Sequence, residues 1–289
     1  MRHRTVLGLG IEGFHRLAYT EWGIPDAERT LMCVHGLTRN SRDFDQLAEH
    51  LSPRFRVVCP DVVGRGRSDW LRDPAHYHYL QYNADMNALI ARLDVAELDW
   101  LGTSMGGIIG MMLASLKKTP IRRLILNDVG PMLPREGLMR LAEYLGKKQK
   151  VYKDVSEVMQ HMREIYAPFG PMTDADWEHL AVHSATYDPD AGGFVLSHDP
   201  DISFWFHNAV VTEINLWSYW DKITCPVLVF RGEDSDFLSA ETAREMTQRG
   251  PRTTVVEVPG AGHTPNLNTE EHIKIIKGWL LQTHAAGES

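Results

Sequence analysis

Glu97-Leu98-Asp99-Trp100-Leu101-Gly102-Thr103-Ser104-Met105-Gly106-Gly107-Ile108-Ile109-Gly110-Met111-Met112-Leu113-Ala114 is the stretch from which the rest of the chain can be placed. Its first five residues are short and mostly apolar, as expected of a buried strand. The apolar run after Gly107, continuing to Lys117, reads as a buried helix. A serine between glycines at a strand-to-helix turn is a nucleophile elbow: the turn is so tight that only small neighbours fit, and the hydroxyl projects free of the sheet. The backbone N–H of Met105 opens the helix and points into the same space, where it can stabilise an oxyanion. A Gly-x-Ser-x-Gly match is weak alone, and the flanking strand and helix give it context.

Working outward, residues 5–22 read as two strands around a tight turn at Glu12-Gly13, and Thr30 to Val34 as a buried strand ending in His35-Gly36-Leu37-Thr38. Ser41 reads as the cap of a helix to Leu51. Arg56 to Cys59 is a strand leading into Asp61-Val62-Val63-Gly64-Arg65-Gly66-Arg67-Ser68, residues 81–93 carry helical spacing, and Ile121 to Leu126 is a strand closing at Asn127-Asp128. The alternation then stops for about ninety residues. Helices are expected from Leu138 to Lys150, Ser156 to Tyr166 and Thr173 to Ser184, followed by an aromatic cluster of Phe204, Trp205, Phe206, Trp217, Tyr219 and Trp220. It resumes with a strand at Pro226 to Phe230, a helix from Ala240 to Gln248, a strand at Thr253 to Val258 and a helix from Glu270 to Leu281. Such alternation implies an α/β fold: a mostly parallel sheet with helices on both faces, residues 1–130 and 222–289 forming the core and 131–221 an inserted helical cap. The loops after the strands then converge on one face, where ligands bind in such sheets.

Composition narrows the function. A net charge of −8 over 289 residues, with pI near 5.9, argues against nucleic acid and against an anionic membrane surface. No run approaches membrane-spanning length, and the short basic start broken by Gly8 and Gly10 is not a signal peptide. Cys33, Cys59 and Cys225 read as small buried hydrophobes, so a reduced cytoplasmic setting is expected and no metal or cofactor is called for.

A serine hydroxyl needs a base. Among 14 histidines, His263 in Gly260-Ala261-Gly262-His263 follows the last strand and precedes the last helix, which makes it the base. The remaining histidines lack metal spacing on any one element. A carboxylate must hold the tautomer of that base. Gly232-Glu233-Asp234-Ser235-Asp236 offers three acids, of which Asp236, at the start of the next helix, is favoured; Asp234 and Asp128 remain contenders.

Taken together, His35-Gly36, Asp61-x-x-Gly64-x-Gly66-x-Ser68, the Ser104 elbow, Gly232-x-x-x-Asp236 and Gly262-His263 resemble the α/β-hydrolase fold serine hydrolases across nearly the whole core. The resemblance implies that Leu37, after the His-Gly pair, donates the second oxyanion N–H beside Met105. It also exposes a departure: the acid of the family usually stands three residues after the glycine, where this chain has Ser235. A serine rather than an aspartate at the elbow separates the chain from dehalogenase- and epoxide-hydrolase-like members.

The expected activity is hydrolysis of small to medium carboxylic esters, lactones and hydroxyalkanoate-type oligoesters included, through an acyl-enzyme on Ser104. Trp205, Phe206, Trp217 and Trp220 would line an apolar pocket, or pack the cap onto the core, and Arg39 would meet a substrate carboxylate or form a surface ion pair. The alternatives are a C–C bond hydrolase of the meta-cleavage type and a hydrolase-fold binding protein or cofactor-free peroxidase-like member.

Overall fold

The computed structural model describes residues 1–145 and 150–282. Eight strands form one sheet: β1 (Arg2–Gly10), β2 (Gly13–Trp22), β3 (Thr30–Val34), β4 (Arg56–Pro60), β5 (Leu98–Thr103), β6 (Ile121–Asn127), β7 (Val227–Gly232) and β8 (Thr253–Val258). Their spatial order is β1-β2-β4-β3-β5-β6-β7-β8; β2 pairs antiparallel with both β1 and β4, and every other neighbouring pair is parallel. The helices are α1 (Asp45–Leu51), α2 (Tyr79–Leu93), α3 (Met105–Ala114), α4 (Arg135–Leu145), α5 (Val155–Ile165), α6 (Asp174–Ser184), α7 (Phe204–Asn208), α8 (Trp217–Trp220), α9 (Ala240–Met246) and α10 (Glu270–Leu281).

Successive strand side chains point to opposite faces, and the apolar runs supply both. Leu31, Cys33, Leu101, Ile125 and Leu228 pack with α1 and α10 through Leu47, Leu51, Ile276 and Leu280. Met32, Val34, Trp100, Leu124 and Val227 face α2 and α3 through Met86, Leu89, Ile108 and Ile109. Trp217 and Trp220 belong to this second cluster. Trp220 is fully buried, with its indole N–H donating to the Arg249 carbonyl at 3.0 Å, and the Arg249 guanidinium lies 4.5 Å over the Trp217 ring. These two indoles pack the core, contrary to the expectation that they line a substrate pocket.

Between β6 and β7 the chain leaves the sheet. Residues from α5, α6 and a short hairpin (Ala185–Asp188 with Gly193–Leu196) share a small core of Val158, Met162, Trp177 and Leu180. Helix α6 starts with the expected Thr173–Asp176 capping box. Helix α4 begins at Arg135, earlier than expected; of the expected extension to Lys150, residues 146–149 lie outside the described residues. The cap after β3 is Asn40 rather than Ser41: the Asn40 side chain accepts from the Arg42 N–H at 3.0 Å and opens a 3-10 turn (Ser41–Phe44) ahead of α1.

Candidate active site

The elbow turns sharply because its backbone is forced. Ser104 has φ 48° and ψ −110°, a region that L-residues rarely occupy. A side chain on Gly102 would meet the Gly106 carbonyl at 2.2 Å, and one on Gly106 would meet the Val34 carbonyl at 2.1 Å. The glycines therefore permit β5, α3 and β3 to close on one another behind the serine.

On this turn the Ser104 hydroxyl lies 3.0 Å from His263 Nε2, and His263 Nδ1 lies 2.8 Å from Asp128 Oδ2. A carboxylate only accepts, so Nδ1 carries the proton and Nε2 is left to accept from the serine. The His263 ring stacks on Phe237, centroids 4.3 Å apart. Asp128 is fully buried and saturated: Oδ1 accepts from the Gly232 N–H at 2.8 Å, and Oδ2 also accepts from Ser235 Oγ at 2.6 Å and the Thr264 N–H at 3.3 Å. Three of the five non-glycine residues with positive φ among the described residues, Ser104, Asp128 and Thr264, are gathered here.

Asp236, favoured from the sequence, does not face His263 Nδ1. Its carboxylate is turned to Arg140, with Nη2 donating to Oδ1 at 2.8 Å, and both side chains are 43% exposed. Burial would raise its pKa, but the Arg140 guanidinium outweighs this and holds the carboxyl below the ordinary aspartate range. Asp234 is exposed. The departure at Ser235 explains the shift: the serine at the usual acid position donates its hydroxyl to Asp128, and its oxygen accepts the N–H groups of Phe237 and Leu238.

Leu37 and Met105 flank the serine, and among the described residues neither N–H has an acceptor. Two cavities meet at Ser104 and Leu37. The larger, about 380 Å³, is apolar, walled by Met105, Tyr82, Leu138, Trp205, Phe206 and Phe237. The smaller, about 140 Å³, carries His263 with Thr38, Arg140, Tyr144, Tyr166 and Asn268. Trp205 and Phe206 line the larger cavity.

Arg39 lines the smaller cavity, but as a buried cation already paired with Asp43 rather than a free one or a surface ion pair. It is 4% exposed; its Nε donates to Asp43 at 3.0 Å, its Nη1 to Ser184 Oγ at 2.6 Å, and its guanidinium lies 5.1 Å over the Tyr166 ring. The half-exposed cation in the smaller cavity is Arg140, which the sequence reading passed over because nothing in a helical face distinguishes it. Tyr166, whose hydroxyl lies 2.8 Å from Thr38 Oγ1, was equally silent. Asp45, His179 and His183 cluster closely enough to suggest a metal, but Arg42 donates to both oxygens of Asp45 and occupies that position. Among the described residues no helix is long and apolar enough to cross a membrane.

Comparison with known proteins gives the same architecture. A 3-hydroxybutyrate-oligomer hydrolase of Cupriavidus necator is 45% identical over 270 residues, 91% of this chain and 92% of that protein. A 2-(acetamidomethylene)succinate hydrolase of Mesorhizobium japonicum is 26% identical over 86% of this chain and 87% of its own length. Of solved structures, one from Rickettsia typhi is 34% identical with TM-score 0.92, covering 98% of this chain and 100% of that one. An alpha/beta hydrolase from Novosphingobium aromaticivorans is 33% identical with TM-score 0.85, covering 96% and 98%. The family model described as the alpha/beta hydrolase family matches residues 31–273, and with these residues spanning both the elbow and His263, the chain belongs to that family.

Proposed function

We propose that this protein is a serine hydrolase of hydroxyalkanoate-type oligoesters, with Ser104 as nucleophile, His263 as base and Asp128 as orienting acid. The observation that carries the reading is the unbroken chain of hydrogen bonds from Ser104 Oγ through His263 to buried Asp128. Ser104 attacks the ester carbonyl as its proton passes to His263 Nε2. The tetrahedral oxyanion takes the Leu37 and Met105 N–H groups, free in the resting site, and the Asp128 carboxylate stabilises the imidazolium. His263 then protonates the departing alkoxide, and water enters by the same route to release the acid.

His263 must reach the leaving oxygen, so the alcohol half of the ester lies in the smaller cavity and the acyl half in the larger apolar one. In a hydroxyalkanoate oligomer the alcohol half is itself a hydroxy acid, and the smaller cavity offers polar hydroxyls and the Arg140 cation. The 45% identical oligomer hydrolase supports this substrate class. Residues 131–221 act in this reading as a cap over both cavities. A cytoplasmic setting, inferred from three buried unpaired cysteines, completes it.

The test is release of acid from the dimer and trimer of 3-hydroxybutyrate, followed by titration and chromatography. The native enzyme should liberate monomer, and Ser104→Ala should lose activity by several orders of magnitude. Failure to cleave either oligomer while hydrolysing p-nitrophenyl butyrate would retain the serine hydrolase and discard the substrate class.

A further inference from the structure

The glycine loop after β4 contains an arginine that the reaction above does not use. Gly64 and Gly66 both have positive φ, 83° and 56°, so the backbone reverses on either side of Arg65. Asp61 clasps the loop by accepting the N–H groups of Ser41 and Arg67, leaving no room for a side chain at Gly66. This construction drives Arg65 inward until it is completely buried.

A buried guanidinium normally has a carboxylate partner, because an uncompensated charge away from water is costly. Every hydrogen-bond partner of Arg65 among the described residues is neutral. Nε donates to the Leu37 carbonyl at 2.8 Å, Nη1 to the Val63 carbonyl at 2.7 Å and the Tyr82 hydroxyl at 3.0 Å, and Nη2 to Met105 Sδ at 3.7 Å. Tyr77 and Tyr82 lie 5.6 and 5.0 Å from it as ring contacts. The Asp199 carboxylate stands behind Tyr77, accepting the Tyr77 hydroxyl at 2.5 Å. Two of the four hydrogen-bonded residues, Leu37 and Met105, are the two assigned to the oxyanion hole in the proposed reaction, whose N–H groups have no acceptor among the described residues. A purely structural arginine has no reason to select both.

We propose that Arg65 is the positioning residue of the oxyanion hole: it fixes the Leu37 and Met105 segments, and its unpaired buried charge finds its counter-ion in the oxyanion that forms on Ser104. The inference rests on the acyl-transfer reading. Its chemistry requires that Arg65 act more strongly on the tetrahedral state than on bound substrate.

The experiment compares native enzyme, Arg65→Met and Arg65→Lys with p-nitrophenyl butyrate, and measures inhibition by n-butylboronic acid, whose adduct on a serine is tetrahedral and anionic. Turnover by the native enzyme checks the acyl-transfer reading itself; the variants are read only relative to it. Arg65→Met should lower kcat by roughly ten- to a hundredfold with KM within about threefold, as for loss of groups that orient a catalytic centre. Boronate affinity should fall by the same factor as kcat/KM, and Arg65→Lys, which keeps the charge but cannot reach all three oxygens, should fall between. Folding is followed by near-UV circular dichroism. A folded variant with kcat unchanged, a kcat loss with boronate affinity intact, or failure of both variants to fold would overturn the proposal, the last by assigning Arg65 to the fold alone.

Discussion

Asp128→Asn should cripple turnover while Asp236→Asn leaves it nearly intact. In the native site Asp128 accepts at both oxygens: Oδ1 takes the Gly232 N–H, and Oδ2 takes His263 Nδ1–H, the Ser235 hydroxyl and the Thr264 N–H. An amide has one oxygen. If that oxygen replaces Oδ1, the NH2 group faces His263, which can then bond only through an unprotonated Nδ1. Its proton moves to Nε2, where it points at Ser104 and cannot receive the serine proton. If the amide flips, the NH2 group meets the Gly232 N–H, donor against donor, in a fully buried site. A wrong tautomer costs about 10⁴ in rate in the serine-protease triad. Here, with the flip available at a penalty of one buried hydrogen bond, kcat should fall about 10³–10⁴-fold, or roughly 4–5.5 kcal/mol at 1.36 kcal/mol per decade. Asp236 forms only a half-exposed ion pair with Arg140, so its amide should change stability by about 0–1 kcal/mol. The assay is kcat for p-nitrophenyl butyrate and for the 3-hydroxybutyrate dimer, with fold integrity followed by circular dichroism. The opposite ranking, Asp236→Asn crippled and Asp128→Asn active, would refute the assignment.

Three further outcomes follow from the same geometry. Arg39→Gln should destabilise the protein by about 3 kcal/mol, because Asp43 loses its partner, and leave the ratio of KM for a free-acid ester and its methyl ester unchanged; Arg140→Gln should raise that ratio at little cost in stability, both read from steady-state kinetics and urea unfolding. Trp220→Ala should cost about 3–5 kcal/mol in denaturant unfolding, whereas Trp205→Ala, 45% exposed at the apolar cavity, should leave stability almost unchanged and raise KM most for longer acyl chains. His35 is fully buried, its Nε2 accepting the Val62 N–H at 2.9 Å, and burial pulls its pKa down from 6.5 to about 4. The unfolded chain therefore binds the extra proton first, so the His35 contribution is complete above pH 6.5 and lost as pH falls through 4; burial also pulls His183 and His198 down to about 4, so urea titration at pH 7, 5.5 and 4 should show a drop of at least about 3 kcal/mol, with about that much from His35.

The fold was legible because the parallel strands are apolar on both faces. Leu31-Met32-Cys33-Val34 feeds alternate residues to two clusters, and such runs need helices on each side, which the 3.6-residue spacing of residues 81–93 announced. The elbow and His263 were legible for a different reason: each is a local backbone requirement written in glycines. The segment between β6 and β7 was less so. Its helices were visible, but which aromatic side chains meet the cavity depends on how short helices α7 and α8 are laid down. Trp217 and Trp220, twelve and fifteen residues after Trp205 in sequence, pack in the core instead. Arg39 was misread because charge alone does not reveal that Asp43, one turn on, and Ser184, from the inserted segment, would enclose it.

The acid proposed to orient His263 shows where a sequence stops being sufficient. Asp128 and Asp236 stand at the ends of neighbouring strands, and nothing local to either says which carboxylate arrives beside His263. The parallel register does: Phe230 of β7 pairs with Asn127 of β6, the Asp128 N–H donates to the Phe230 carbonyl at 2.8 Å, and the Gly232 N–H returns a bond to the Asp128 carboxylate. An acid leaving the end of β6 thus enters the turn after β7 from one strand spacing away, about 4.8 Å, so the same point in space can be served from either strand. Asp128 reaches it by adopting φ 54°, a strained conformation repaid by four hydrogen bonds to its carboxylate, and Ser235, standing where the family's acid usually stands, supplies one of them. At the one-residue misfit between Gly232 and Asp236, Ser235 thus donates to an acid that comes from outside the turn, from the end of β6, which among the described residues lies between β7 and the elbow strand β5.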